Sequence, residues 1–208
     1  MTTPAPAQLL LASASPRRRE LLALMGVPHG VEPSRIDERS VLADHPRTFA
    51  LRAAYAKAMD VASRAPEGTW VLGADTVVAR GMVLYGKPED AWDALRMLRE
   101  LSGRPHQVVT GLALARAGTQ NTFLRAESTS VYFRDLSPSE IDEYVRGGEP
   151  LDKAGAYGIQ GLGRELIDRI EGDYYNVVGL PCQALADLLE DAGLPPPASM
   201  PATPGRWM

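Results

Sequence analysis

The chain alternates short apolar runs with longer amphipathic segments, and turns rich in glycine or proline separate them. Apolar residues spaced three or four positions apart predict helices, whereas short apolar or alternating runs predict strands. The predicted helices are Pro16 to Met25, Pro46 to Arg64, Pro88 to Leu101, one that begins with a capping box at Ser137, and Pro181 to Ala192. The predicted strands are Leu9 to Ala12, Trp70 to Gly73, Thr76 to Ala79, Met82 to Tyr85, Val108 to Ala115, Phe123 to Phe133, and Leu166 to Ile170. Hairpins mixed with strand–helix units predict an α/β fold whose twisted sheet is mixed, mostly antiparallel, and flanked by helices.

Length and composition narrow the class of protein. With 208 residues and a single cysteine, the chain fits one domain without disulfides, typical of a cytoplasmic protein. The formal net charge of −4 does not favour long nucleic acids as partners. The sequence has no apolar run of transmembrane length, and residues 1–8 show no signal-peptide pattern. We expect residues 1–194 to form one two-lobed domain, and residues 195–208, with five of the 17 prolines, to be disordered.

The segment Ser13-Ala14-Ser15-Pro16-Arg17-Arg18 joins the first strand to the first helix. Ser15 suits the N-cap and Pro16 the first helical position, and Gly26 suits the end of the helix. Arg17 and Arg18 then lie in the first turn, where the helix dipole disfavours cations. The segment therefore suggests a site for a polyphosphate-sized anion, the alternative being a solvated basic turn.

Carboxylates provide the second candidate feature. Asp75 lies within an apolar strand, where an unpaired charge is costly, so it requires a cation, a metal or an open cleft. Glu32, Asp37 and Glu38 follow the first helix, and two such acids near a polyphosphate would hold a hard divalent cation. Each acid alone is more often a solvated surface charge, and Asp75 alone is equally compatible with a turn-capping role.

The segment Asp152 to Gly163 is rich in glycine and carries three side chains of interest: Lys153, Tyr157 and Gln160. Lys153 suits a phosphate, Tyr157 suits stacking, and the Gln160 amide can both donate to and accept from a base edge. Its spacing matches neither a Walker loop nor a dinucleotide-binding fingerprint, so a plain glycine-rich loop is the alternative.

Five blocks of sequence, together with a closing segment, resemble the Maf family of nucleoside triphosphate pyrophosphatases between about Leu9 and Leu189. They are Ser13 to Leu22, Gly73 to Val78, Gly86-Lys87-Pro88, Leu101-Ser102-Gly103, Glu149 to Gly161, and the closing Gly172 to Pro181. The resemblance implies a two-lobed α/β fold with the nucleotide in the cleft between the lobes. It also implies hydrolysis of a nucleoside triphosphate to the monophosphate and pyrophosphate.

Family membership further implies roles for particular residues. Asp75 would be the proton acceptor, and Glu38 and Asp75 would hold a divalent cation, for which Mg²⁺, Mn²⁺ and Co²⁺ are all suitable. The residues expected to bind substrate or set specificity are Ser13, Arg17, Arg18, Lys57, Thr76, Lys87, Lys153 and Gln160. Family members often pair, so a homodimer is an expected partner state.

Arg17, Thr76 and Gln160 match the branch of the family that favours dTTP and UTP over methylated guanine nucleotides. The resemblance therefore implies a dTTP and UTP pyrophosphatase, also open to modified pyrimidine nucleotides, acting in nucleotide pool sanitation or cell division arrest. Two alternatives remain at this stage: an enzyme with another base preference, and a nucleotide- or RNA-binding regulator without turnover.

Overall fold

A computed structural model describes residues 9–207 and contains one seven-stranded sheet. Its strands are β1 (Leu9–Leu11), β2 (Gly30–Val31), β3 (Trp70–Arg80), β4 (Val83–Tyr85), β5 (Pro105–Arg116), β6 (Thr122–Phe133) and β7 (Ile167–Glu171). The strand order is β2-β1-β3-β5-β6-β7, with β4 paired to β3. The β2–β1 and β1–β3 pairs are parallel and the others antiparallel, which confirms a mixed, mostly antiparallel sheet.

Six α-helices pack around this sheet within the described residues. They are α1 (Pro16–Leu24), α2 (Pro46–Ala62), α3 (Ala91–Leu101), α4 (Pro138–Arg146), α5 (Tyr174–Val178) and α6 (Cys182–Asp191). The predicted capping box of α4 is present, because Ser137 accepts from the Glu140 backbone and the Glu140 side chain accepts from the Ser137 backbone. The short α5 and the two-residue β2 were not predicted, since neither is long enough to show a period.

The two faces of the sheet carry different cores. The α2 face is built mainly from small residues, with Ala50, Ala54 and Ala58 of the helix against alanine and valine of β3 and β5. The opposite face holds the larger side chains of α1, α3, α4 and α6. Strand β3 separates the faces because its successive side chains point to opposite sides.

Residues 195–207 lie against the domain, which differs from the expected disorder. The Ser199 N–H and hydroxyl donate to the carbonyls of Met25 and Leu24, and Trp207 stacks on Tyr174 with 6.4 Å between ring centroids. The composition of the segment did not predict these contacts, because only a few of its residues make them. Residues 1–8, where no signal-peptide pattern was found, lie outside the described residues, and the two-lobed division of residues 1–194 stays a prediction.

In residues 9–207, none of the helices combines the length and the apolar character needed to cross a bilayer.

Candidate active site

The candidate site lies at a gap along one edge of β3. On this edge β1 pairs with Trp70–Leu72 and β4 pairs with Val78–Arg80, while β5 covers the other edge. Residues 73–77 have no strand partner on the β1 side in the described part of the chain. Asp75 and Thr76 lie in this gap, and a cleft of about 850 Å³ opens there.

All ten residues to which the family resemblance assigned a role border this one cleft, although they come from six separate parts of the chain. They are Ser13, Arg17, Arg18, Glu38, Lys57, Asp75, Thr76, Lys87, Lys153 and Gln160. The fold therefore brings the candidate residues together at one site.

Asp75 is buried and paired, as its position in an apolar strand required. The Lys57 ammonium donates to Asp75 Oδ1 over 2.6 Å and to Glu38 Oε1 over 2.5 Å. The side chains of Lys57 and Asp75 are 9% and 6% exposed, whereas Glu38 is 49% exposed. One buried cation thus joins two carboxylates, of which Glu38 faces the solvent side of the cleft.

Lys57 reaches Asp75 because α2 lies unusually close to the sheet. A Cβ atom at Gly73 would lie 2.1 Å from the Ala54 carbonyl oxygen, and one at Gly111 would lie 2.3 Å from that of Ala50. Gly111 is the residue directly opposite Asp75 in the β3–β5 pair. Glycine at both positions therefore allows the helix backbone to approach, so that a lysine in the middle of α2 reaches the floor of the cleft.

Burial and the Lys57 ammonium have opposite effects on the pKa values of these two carboxyl groups. Burial raises the pKa of Asp75, and the Glu38 carboxylate adds to this, whereas the Lys57 ammonium opposes it. The pKa of Glu38 is lowered overall: burial acts to raise it, but the charge and hydrogen bond of Lys57 outweigh that effect. The pKa of Asp75 is therefore raised and that of Glu38 is lowered, although both carboxylates face the same ammonium.

Glu38 and Asp75 provide two hard oxygen donors that already face one cation. Within residues 9–207 there is no group of three or more His, Cys, Asp or Glu side chains placed to hold a metal ion. Mg²⁺ is commonly bound by one or two carboxylates, with the remaining ligands supplied by substrate phosphates and water. The pair fits a divalent cation that arrives with a polyphosphate, rather than a closed metal site made by protein side chains alone.

Arg18 occupies a different place from the one expected for a phosphate-binding residue. Its guanidinium is buried and donates to Ser13 Oγ at 3.0 Å, to Thr76 Oγ1 at 3.0 Å and to the Gly179 carbonyl at 2.9 Å. Burial lowers the pKa of Arg18, and the nearby carboxylates of Asp75 and Glu38 oppose that change. These bonds connect the start of α1, β3 and the end of α5, and they account for an arginine at the unfavourable end of a helix.

Around the mouth of the cleft, Asp152 interacts with two of the predicted cations. Lys153 Nζ donates to Asp152 Oδ1 at 2.6 Å, and Arg17 lies 3.6 Å from Asp152 Oδ2. Lys87 is exposed at the turn before α3. Arg17 and Lys87 thus retain solvent access. Lys153, in contrast, is paired with the carboxylate of Asp152.

The glycine-rich segment contributes both Gln160 and Tyr157 to the lining of the cleft, but only Gln160 is exposed. Gln160 is exposed, whereas Tyr157 is buried, and its hydroxyl lies 2.8 Å from His106 Nε2. Stacking of Tyr157 on a base, expected from the sequence, is therefore not supported. His106 is itself buried in the core.

Cys182 is unsuited to nucleophilic catalysis. It is buried at the start of α6, and burial raises the pKa of its thiol to about 12. A thiol with this pKa is almost fully protonated near neutral pH.

Comparison with known proteins identifies the family of this chain. The family described as Maf-like protein matches residues 8–192 of the chain. The dTTP/UTP pyrophosphatase of Moorella thermoacetica is 52% identical over 189 residues, which cover 90% of this chain and 96% of that protein. The dTTP/UTP pyrophosphatases of Myxococcus xanthus and Symbiobacterium thermophilum are 51% and 50% identical, and cover 91% and 90% of this chain and 94% and 95% of their own lengths. The chain belongs to the Maf family.

Proposed function

We propose that this protein hydrolyses dTTP and UTP to the nucleoside monophosphate and pyrophosphate. The observation that carries the proposal is the Asp75–Lys57–Glu38 cluster, with Asp75 and Lys57 buried, at the floor of a cleft that other cations border. Relatives about half identical over most of their length carry the name of this activity. Modified pyrimidine triphosphates belong to the same substrate class.

In the proposed reaction, Asp75 accepts a proton from the water that attacks the α-phosphorus. The new bond joins the water oxygen to this phosphorus, the bond to the bridging oxygen breaks, and pyrophosphate leaves with the electron pair. A carboxylate is suited to this step when it is unprotonated but more basic than an exposed one, the direction in which burial changes the pKa of Asp75. The Lys57 ammonium opposes the effect of burial and favours the ionised form of Asp75.

The remaining side chains bind and orient the nucleotide. Arg17, Lys87 and Lys153 border the cleft and neutralise the charge of the triphosphate and of the departing pyrophosphate. Arg18 acts through Ser13 and Thr76, whose hydroxyl groups it holds in place. Gln160 reads the pyrimidine edge with an amide that both donates and accepts, and Thr76 forms part of the wall that sets specificity.

Glu38 and Asp75 would hold a divalent cation, Mg²⁺, Mn²⁺ or Co²⁺, together with phosphate oxygens. When bound, the cation would offset the negative charge that builds up on the phosphates. Lys57 lies between the same two carboxylates, so its ammonium and a bound cation would share one pair of acids.

The test compares the wild-type protein with Asp75→Asn on dTTP and UTP, in the presence of Mg²⁺ or Mn²⁺ and after chelation, with products separated by anion-exchange chromatography. In H₂¹⁸O the label should appear in the monophosphate and not in pyrophosphate. Loss of a general base should lower kcat by roughly 10² to 10⁴-fold. Asp168→Asn is the matched control, because Asp168 is an exposed aspartate of β7 outside the cleft. Nucleotide binding without turnover in the wild type would contradict the proposal and favour a regulator.

A further inference from the structure

Glu149 is a half-buried acid for which the reaction above has no use. It follows Gly148, whose φ of +76° turns the chain after α4. The Glu149 carboxylate accepts from the Tyr144 hydroxyl at 3.0 Å, from the Leu162 N–H at 2.9 Å and from the Gly163 N–H at 3.0 Å. Its carbonyl oxygen accepts from Lys153 Nζ at 2.7 Å.

These bonds hold the backbone on both sides of Gln160. The Tyr144 hydroxyl, which donates to Glu149, also accepts from the Gly158 N–H at 3.3 Å. The carboxylate and the phenol together therefore hold positions 158, 162 and 163, while the Gln160 side chain between them is exposed at the cleft. These hydrogen bonds on both sides of Gln160 therefore determine where its side-chain amide lies.

The glycines of this segment make room for the same arrangement. A Cβ atom at Gly161, whose φ is +73°, would lie 2.8 Å from Glu149 Oε2. A Cβ at Gly163 would lie 2.3 Å from the Gly158 carbonyl oxygen and 2.7 Å from the Tyr144 hydroxyl. A Cβ at Gly158 would lie 2.8 Å from the Lys153 stem. The contacts these glycines allow are with the chain's own Glu149, Tyr144 and Lys153.

We propose that Glu149 is a positioning residue for base recognition, because its carboxylate fixes the backbone that carries Gln160. This inference rests on the proposed function and adds to it a residue that sets base preference without touching the nucleotide. The carboxylate of Glu149 is required for this positioning, because both of its oxygens accept hydrogen bonds. A glutamine amide would replace one oxygen with an NH₂ group, which would face an N–H or O–H donor and could not accept from it.

The test measures kcat and KM for dTTP and dATP in wild type and Glu149→Gln. We expect KM for dTTP to rise about tenfold while kcat changes much less and KM for dATP stays nearly constant, because hydrogen bonds to a charged group are each worth about a factor of ten or more. Tyr144→Phe, which keeps the ring and removes only the hydroxyl, should move the dTTP to dATP ratio in the same direction. Glu143→Gln, on the exposed side of α4, is the matched control and should leave the ratio unchanged.

The two proposals fail in different ways. A purely structural role for Glu149 would lower kcat equally for both nucleotides and leave the ratio at its wild-type value, which would overturn the inference. If Glu149→Gln does not fold, an unchanged ratio in Tyr144→Phe overturns it instead. If the wild-type chain turns over no nucleotide, the proposed function fails, and the ratio of dissociation constants for dTTP and dATP still tests Glu149.

Discussion

Arg18, Lys57 and Asp75 are buried charged side chains, and each is satisfied by groups distant in sequence. Lys57 reaches acids 18 and 19 positions away, and Arg18 reaches a carbonyl 161 positions away. The sequence predicted that Asp75 needs a partner, because an unpaired charge in an apolar strand is costly. It did not predict which cation serves, because an isolated lysine in an alanine-rich helix is typical of the surface.

His106 provides a pH-dependent prediction at the residue scale. Burial lowers its pKa to about 4, below the value near 6.5 of an exposed histidine, so the folded state resists protonation. Between these values the unfolded chain binds the proton and the folded chain does not, so stability is lost as the pH falls from about 6.5 to 4. Over this range we expect up to about 3 kcal/mol of loss from this group.

Urea unfolding at pH 7 and pH 4.5 measures this loss. His106→Gln keeps a polar group near the Tyr157 hydroxyl but does not titrate, so the variant should lose less stability between the two pH values than the wild type. Equal losses in both proteins would show that other groups cause the acid sensitivity.

At the scale of elements, the contact between α2 and the sheet determines the geometry of the cleft floor. The sequence predicted α2 closely, from Pro46 to Arg64 against Pro46–Ala62. It predicted two strands on either side of Asp75, whereas β3 is continuous from Trp70 to Arg80, because its ladder with β5 keeps the polar residues in register. The local sequence pattern thus located α2 and the strand residues of β3. The distance between helix and sheet depends on glycines whose role is visible only in the packing.

Gly73→Ala tests this contact. The added Cβ would meet the Ala54 carbonyl oxygen and the Ala58 backbone, so α2 must move away from β3. We expect a loss of about 3 kcal/mol in the free energy of unfolding, as for other overpacked cores, and a fall in kcat as Lys57 retreats from Asp75. Denaturant unfolding and steady-state kinetics measure both effects.

Gly86→Ala serves as the control for stability, since no atom lies within 4 Å of a Cβ at that position and its φ is ordinary. Its unfolding free energy should stay close to that of the wild type. A Gly73→Ala protein as stable and active as the wild type would contradict the close approach of α2.

At the scale of the whole molecule, the cleft exists because β1 and β4 share one edge of β3 without meeting. The ten candidate residues then come to the gap from six segments of the chain, from the turn after β1 to the glycine-rich segment after α4. The C-terminal segment adds a further long-range contact, because the Tyr175 hydroxyl donates to the Ala202 carbonyl and Trp207 stacks on Tyr174 of α5.

Removal of residues 195–208 tests the contribution of this segment. We expect the free energy of unfolding to fall by about 2 kcal/mol, because the hydrogen bonds of Ser199 and Tyr175 and the cover over Tyr174 are lost. Denaturant titration of the full chain and of the shortened chain measures the difference. Identical midpoints and slopes would show that the segment adds nothing to the stability of the domain.

The sequence by itself determined the class of fold, most of the helices and strands, membership of the Maf family and ten of the residues that border the cleft. These follow from periodicity, from turn and capping residues and from linear motifs, all of which are local properties of a chain. Only the tertiary structure decided that Lys57 lies between Glu38 and Asp75, that Arg18 holds the frame of the site, that Tyr157 and His106 are in the core, and that Glu149 holds the segment around Gln160. Each of these depends on contacts between residues whose distance in space no local pattern encodes, and burial then sets their charges and their hydrogen bonds.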